Sequence, residues 1–141
     1  MQFDPENNIV KLCAKGIMTE GEGKVLEAYE LYQQAWDLAQ DGFEKFTAAH
    51  YLARGKKDPL ENLKWNEIAL NHALLLNNDF AITCYPSLYL NVGKSYEDIG
   101  DFTQAMRNYL LAETYTDKLP EDGFGNMLKS GIVAGIKRVQ G

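Results

Sequence analysis

Apolar side chains recur along the chain at intervals of three and four residues, with polar side chains between them. In an α-helix this spacing gathers the apolar residues on one face, which packs against the rest of the protein. Such stripes cover residues 9–17, 25–39, 46–53, 63–74, 79–99, 102–117 and 128–139. No segment shows the sustained period of two that is typical of a strand. The pattern predicts an all-α protein of seven helices, six of which form antiparallel pairs.

Turn and cap residues separate these stripes. Asp4-Pro5-Glu6 has the composition of a helix start, because Asp accepts hydrogen bonds from free N–H groups and Pro suits the first turn. Pro86 lies within the fifth stripe and removes the backbone hydrogen bond to the carbonyl of Ile82. Asn77-Asn78-Asp79 breaks or caps the preceding helix, and residues 79–99 are either one helix kinked near Pro86 or a loop followed by a helix from Pro86. We favour the kinked helix.

Small and aromatic residues recur at fixed distances in two parts of the chain. A glycine is followed after 12, 16 and 19 residues by Ala, Tyr and Ala, at Gly16, Ala28, Tyr32 and Ala35 and at Gly93, Ala105, Tyr109 and Ala112. Counted from His50, the same distances lead to Asn62, Asn66 and Ala69, so the middle copy keeps only its last alanine. We interpret the small residues as positions where two helices touch closely.

This pattern resembles the tetratricopeptide repeat (TPR), a helix–turn–helix unit of about 34 residues. The third unit fits best, through Tyr89, Val92, Gly93, Tyr96, Ala105, Tyr109, Ala112 and a late Pro120. The resemblance implies one domain, residues 1–141, with units 9–42, 43–76 and 86–119 stacked in a right-handed α-α superhelix. Residues 124–139 are then a C-terminal capping helix. The alternative is a generic bundle of helical hairpins.

Composition and charge narrow the partner classes. The 141 residues are 45% hydrophobic and 24% charged, which is ordinary for a globular domain. The net charge of -6 opposes a phosphate backbone, and no apolar run has the about 18 residues of a membrane helix. The start MQFDPENN is unlike a secretory signal. We expect a cytoplasmic protein that binds no nucleic acid and no membrane.

Residues with catalytic or metal-binding chemistry are few and poorly spaced. Cys13, His50, His72 and Cys84 do not form the close pairs of a metal site, and we expect no metal and no cofactor. Both cysteines are interpreted as free thiols, and His50 as a packed histidine with a hydrogen-bond partner. No serine or cysteine has an evident base beside it. We therefore expect no catalytic residues and no enzymatic activity.

The TPR resemblance implies a concave surface lined by the first helix of each unit. Carried onto this chain, its peptide-groove candidates are Thr47, Tyr51, Arg54, Leu90, Asn91, Lys94 and Glu97. Some family members hold a chaperone's C-terminal carboxylate through lysine and asparagine on their first helices. Cys13 and Ile17 stand at those positions here, and that clamp is rejected. Arg54, Asn91 and Lys94 can still bind a carboxylate or an acidic segment, because charge-assisted hydrogen bonds are strong.

The resulting functional hypothesis is a non-catalytic interaction module that holds a peptide or protein segment in this groove. Its alternative is a homodimeric structural protein, which associates through Trp36 and the apolar edge at Val10 and Ile17. A small-ligand sensor or an enzyme accessory subunit is the least favoured hypothesis.

Overall fold

The computed structural model describes residues 4–119 and 121–140, and Pro120 of the repeat pattern lies outside them. In this part of the chain the helices are α1 (Asn8–Gly21), α2 (Val25–Leu38), α3 (Gly42–Arg54), α4 (Pro59–Leu76), α5 (Asp79–Asp98), α6 (Phe102–Thr114) and α7 (Gly123–Val139), with a 3-10 turn at Thr116–Lys118. These described residues contain no strand, so the all-α prediction and the number of helices are confirmed. None of the described helices combines the length and apolar character needed to span a membrane.

Polar side chains cap most of the helix starts. Asp41 accepts from the backbone N–H of Glu44, and the Glu44 carboxylate accepts from the Asp41 N–H in return. The predicted start at Asp4-Pro5-Glu6 is wrong: these residues form a turn, and Asn7 caps α1 through bonds from the N–H groups of Ile9 and Val10. Asn has the same short side-chain acceptor as Asp, so Asn7, three residues after Asp4, is the N-cap instead.

Helix α5 contains Pro86 and continues from Asp79 to Asp98, so the helical alternative for this region is confirmed. Asn77 ends α4 in the left-handed conformation, at φ 43°. The Tyr85 hydroxyl donates to the Asn77 side-chain oxygen at 3.0 Å, which ties the turn to α5. Residues 77–85, which the sequence pattern leaves between the second and third units, thus form the turn after α4 and the first two turns of α5.

Consecutive helices pack against each other as pairs, α1 with α2, α3 with α4, and α5 with α6. Helix α3 also contacts both helices of the first pair, α5 contacts α4, and α7 contacts both helices of the last pair. We call these three contact regions the first junction, the middle junction and the last junction. The largest core cluster lies around Phe46, Leu88 and Ile132, whose side chains are almost wholly buried.

Small residues do mark close helix contacts, as predicted. Ala28, Ala105 and Ala112 have no exposed surface. A Cβ atom placed on Gly93 would lie 2.8 Å from the ring of Tyr109, and one on Gly16 would clash with the ring of Tyr32. Each glycine therefore makes room for the tyrosine of its own helix pair.

Candidate functional site

The first junction is held by a tyrosine, a glutamate and an arginine. The hydroxyl of Tyr32, which is fully buried, donates to Glu20 Oε1 at 3.1 Å. Arg54 of α3 donates from Nη2 to the other oxygen of Glu20 at 2.8 Å. The Arg54 hydrogen bond is the main reason why the pKa of Glu20 lies below its usual value, and the Tyr32 bond lowers it further. One carboxylate thus links three helices.

The last junction repeats this arrangement with Tyr109, Glu97 and Arg138. Tyr109 donates to Glu97 Oε1 at 2.7 Å, and Arg138 of α7 donates to both oxygens of Glu97, at 2.9 and 3.2 Å. Glu20 and Glu97 each lie four residues after the glycine that faces the tyrosine. Helix α7 therefore contacts the third helix pair through the same residue types by which α3 contacts the first pair.

The middle junction differs at the equivalent positions, although a tyrosine–glutamate bond crosses it elsewhere, from Tyr96 of α5 to Glu67 of α4. Asn66 stands at the position of the tyrosine, Arg54 at the position of the glutamate, and His50 at the position of the glycine. Asn66 is much smaller than tyrosine, and open space remains between α3, α4 and α5. This polar cavity has a volume of about 370 Å³ and is lined by His50, Ala53, Arg54, Asn62, Asn66, Asn91, Lys94, Ser95 and Asp98.

The floor of the polar cavity is a hydrogen-bonded set of neutral side chains. Asn66 donates to Asn62 Oδ1 at 3.2 Å and to Ser95 Oγ at 2.9 Å, and Asn62 donates to the Ala53 carbonyl at 3.0 Å. Asn66 is 8% exposed and Ser95 is 1% exposed. These hydrogen bonds join α4 to α5 at the position that a tyrosine occupies in the first and last junctions.

Charged side chains stand at the rim. Lys94 donates to Asp98 at 2.9 Å in an ion pair whose two side chains are 55% and 46% exposed. Arg54 is bound to Glu20 of α1 through Nη2. The exposed Lys94–Asp98 pair, which lies within one helix, stabilises the fold by only about 0.3–0.5 kcal/mol. Lys94 can therefore leave Asp98 at little cost, whereas Arg54 is held by a less exposed carboxylate.

His50 is half-buried beside the rim, and its Nδ1 atom is buried without a hydrogen-bond partner among the described residues. The expected partner for this nitrogen is therefore absent from the part of the chain that the structure describes. Burial, together with the nearby Arg54 guanidinium, lowers the pKa of His50 to about 4. The imidazole is neutral at pH 7.

The structure brings three of the seven groove candidates together, namely Arg54, Asn91 and Lys94, which all line the polar cavity. Thr47 is fully buried, and Tyr51 is half-buried and stacks on Tyr32 with 5.8 Å between ring centroids.

The remaining two candidates lie toward α7. Leu90 lies beside Gly131, and Glu97 is bound to Tyr109 and Arg138. Sequence reasoning missed the floor of the cavity, formed by Asn62, Asn66 and Ser95. The signal that could have found it was the poor fit of the middle copy to the repeat.

The edge considered for self-association is only partly exposed. Val10 is 9% exposed, and Trp36 is half-buried and packs edge-on against Trp65 at 5.0 Å. Ile17 is 37% exposed. A separate apolar depression of about 640 Å³ lies between α2 and the turn after α3, where Val25, Leu26 and Tyr29 line it.

No group of three or more His, Cys, Asp or Glu side chains within residues 4–119 and 121–140 is arranged to hold a metal ion. Cys13 and Cys84 are buried free thiols, and burial raises their pKa to about 12 and about 11. Both thiols are therefore protonated at neutral pH.

Comparison with known proteins gives no match, whether with family models, curated proteins or solved structures.

Proposed function

We propose that the protein is a non-catalytic interaction module that binds a peptide or protein segment in the polar cavity. The observation that carries this proposal is the convergence of Arg54, Asn91 and Lys94 on one cavity at the middle junction. Two further properties support it. The volume of about 370 Å³ falls in the range of ligand sites. Its mixture of amides and weakly held charge suits polar main-chain and side-chain groups.

A TPR-like superhelix is part of the same proposal. In such a stack the first helices of the units, here α1, α3 and α5, line the concave surface, and the polar cavity opens between α3 and α5. The Tyr–Glu–Arg contact supports α7 as a capping helix, because α7 meets α5 and α6 as α3 meets α1 and α2. A segment lying along this surface would pass Lys94.

Lys94 is the residue on which binding depends most directly, since its partner Asp98 holds it weakly. We expect Lys94→Glu to weaken binding of an acidic peptide at least tenfold, because it replaces attraction by repulsion. A random peptide library with free C-termini would be selected on the immobilised protein. Recovered peptides would then be titrated by fluorescence anisotropy against wild type and variant.

The matched control is Lys15→Glu, which makes the same charge change on an exposed position of α1 outside the polar cavity. Equal binding by wild type and Lys94→Glu, or equal losses in the two variants, would contradict the placement of the site. Recovery of no peptide at all would contradict the function itself.

A further inference from the structure

The polar cavity is close to electrically neutral although two cations line it. Arg54 is paired with Glu20 at 2.8 Å, and Lys94 is paired with Asp98 at 2.9 Å. Desolvation and the Arg54 charge keep His50 neutral at pH 7. A carboxylate pushed to the floor would lose its water without meeting an unpaired cation, which is costly. The floor therefore disfavours charged groups.

The floor nevertheless has unused hydrogen-bonding capacity. Asn66 uses its side-chain N–H groups on Asn62 and Ser95, while its carbonyl oxygen accepts no bond from any described residue. The side-chain amide of Asn91 likewise makes no hydrogen bond within the described ranges, so it offers both a donor and an acceptor. Neither the Asn66 oxygen nor the Asn91 amide is sealed from the cavity, so water or a ligand can reach these atoms.

A ligand group that satisfies these atoms must donate to one amide oxygen, accept from one amide N–H and carry no charge. A primary carboxamide has this combination, with two donors on nitrogen and one carbonyl acceptor, whereas a hydroxyl or a peptide unit has it with only one donor. A carboxylate of the same shape only accepts, and it would face the Asn66 oxygen with repulsion.

We propose that the floor of the polar cavity binds a primary carboxamide, and that Lys94, released from Asp98, holds a carboxylate of the same ligand. This proposal rests on the proposed function and specifies the chemistry that it recognises. The carboxamide can come from a glutamine or asparagine side chain in a peptide, or from a free amino acid.

Three dipeptide probes test the carboxamide: acetyl-alanyl-glutamine, its isosteric glutamate counterpart and its leucine counterpart, each with a free C-terminal carboxylate. Free glutamine, titrated beside them, tests the free amino acid as its source. Each would be titrated into ¹⁵N-labelled protein and followed by amide chemical shifts. We expect the glutamine probe to bind about tenfold more tightly than the glutamate probe, since an unmatched buried polar group weakens binding by about this factor. The shifts should concentrate on α3, α4 and α5.

Two variants test the assignment to named atoms. Asn91→Ala should remove most of the preference for glutamine and leave folding intact, because this side chain has no hydrogen bond to lose among the described residues. Asn66→Asp should strengthen the preference, because the charged acceptor that it places on the floor repels the glutamate probe and still accepts from the carboxamide N–H groups. The matched control is Gln34→Ala, an amide on the exposed face of α2, which should bind all three probes as wild type does.

The outcomes distinguish the two proposals. Equal or tighter binding of the glutamate probe, with Lys94→Glu still weakening every probe, would overturn the carboxamide inference and leave peptide binding in place. Failure of all three probes to bind would overturn the carboxamide inference, and it would overturn both proposals if the peptide library also yields no binder. Free glutamine binding more tightly than the dipeptide would support the carboxamide inference and assign the cavity to a free amino acid instead of a peptide segment.

Discussion

The last junction and the middle junction occupy equivalent places in two helix pairs and differ in how they are filled. At the last junction Tyr109 is fully buried, packs against Gly93 and Gly135, and donates to Glu97. At the middle junction the equivalent residue is Asn66, whose bonds run to neutral neighbours beside a cavity of about 370 Å³. The smaller side chain of Asn66, together with Arg54 in place of the glutamate and His50 in place of the glycine, accompanies the change from a filled contact to an open one.

The two junctions therefore differ in whether their side chains fill space or leave polar atoms accessible. A contact that is filled by an aromatic ring and tied by a charged network adds stability but leaves no open space between the helices. A contact with small amides gives up packing and gains polar atoms that water or a ligand can reach. Under the proposed function, the departure from the repeat pattern at Asn62 and Asn66 coincides with the binding surface.

The largest effect is expected from removing the ring that fills the last junction. Tyr109→Ala should lower the free energy of unfolding by about 4 kcal/mol, because it leaves a large cavity and frees Glu97. Asn66→Ala should cost only about 1 kcal/mol, since its hydrogen bonds lie beside a space that water can enter. Urea unfolding monitored by circular dichroism would measure both.

Thr103→Ala, at an exposed position of α6, is the control for a change on the same helix and should have little effect. Similar losses for Tyr109→Ala and Asn66→Ala would mean that the middle junction is packed as firmly as the last one. The comparison between the two would then fail.

Many of the contacts in this comparison could be predicted from the sequence. The close contacts of Gly16 and Gly93 followed from their spacing to Tyr32 and Tyr109, because distances along a helical pair are regular. The three cavity residues Arg54, Asn91 and Lys94 followed from the TPR resemblance.

The direction of individual side chains was harder to predict from the sequence. Glu97 lies one turn from Lys94 on the same helix, yet it is bound to Arg138, which is 41 residues further along the chain. Thr47 and the floor at Asn66 also depend on which neighbour fills the space beside them. A pattern of helix faces does not specify such long-range partners.

An intermediate effect is expected from pH at the middle junction. Burial and Arg54 lower the pKa of His50 to about 4, below the usual value, so the unfolded chain binds a proton that the folded chain refuses. His50 should therefore destabilise the fold progressively as pH falls from about 6.5 toward 4. Its contribution should be roughly 2 kcal/mol between pH 7 and pH 5. His50→Gln should remove this part of the pH dependence.

Urea unfolding of wild type and His50→Gln at several pH values would measure this difference. His72→Gln is the control, because burial also lowers the pKa of His72 but that side chain lies outside the polar cavity. Parallel pH profiles for wild type and His50→Gln would show that the imidazole is solvated and that the middle junction is more open than the structure indicates.

The smallest effect contrasts two carboxylates one residue apart. Glu97 at the last junction is 16% exposed and binds Arg138 through both oxygens, whereas Asp98 at the rim is 46% exposed. Glu97→Gln should cost about 1–2 kcal/mol at pH 7 and Asp98→Asn no more than about 0.5 kcal/mol. Both would be measured by urea unfolding.

The contribution of Glu97 depends on pH, because the Arg138 bond, and then the Tyr109 bond, hold the pKa of Glu97 below its usual value. The stability that Glu97 contributes is thus present above about pH 4.3, the usual value in an unfolded chain, and is lost as pH falls through the lower folded value. The difference in free energy of unfolding between wild type and Glu97→Gln should accordingly become smaller in strong acid. A difference in unfolding free energy between wild type and Glu97→Gln that stays constant with pH would mean that the glutamate acts through its shape alone. A loss for Asp98→Asn as large as that for Glu97→Gln would place a strong contact at the rim, where ligand binding requires a weak one.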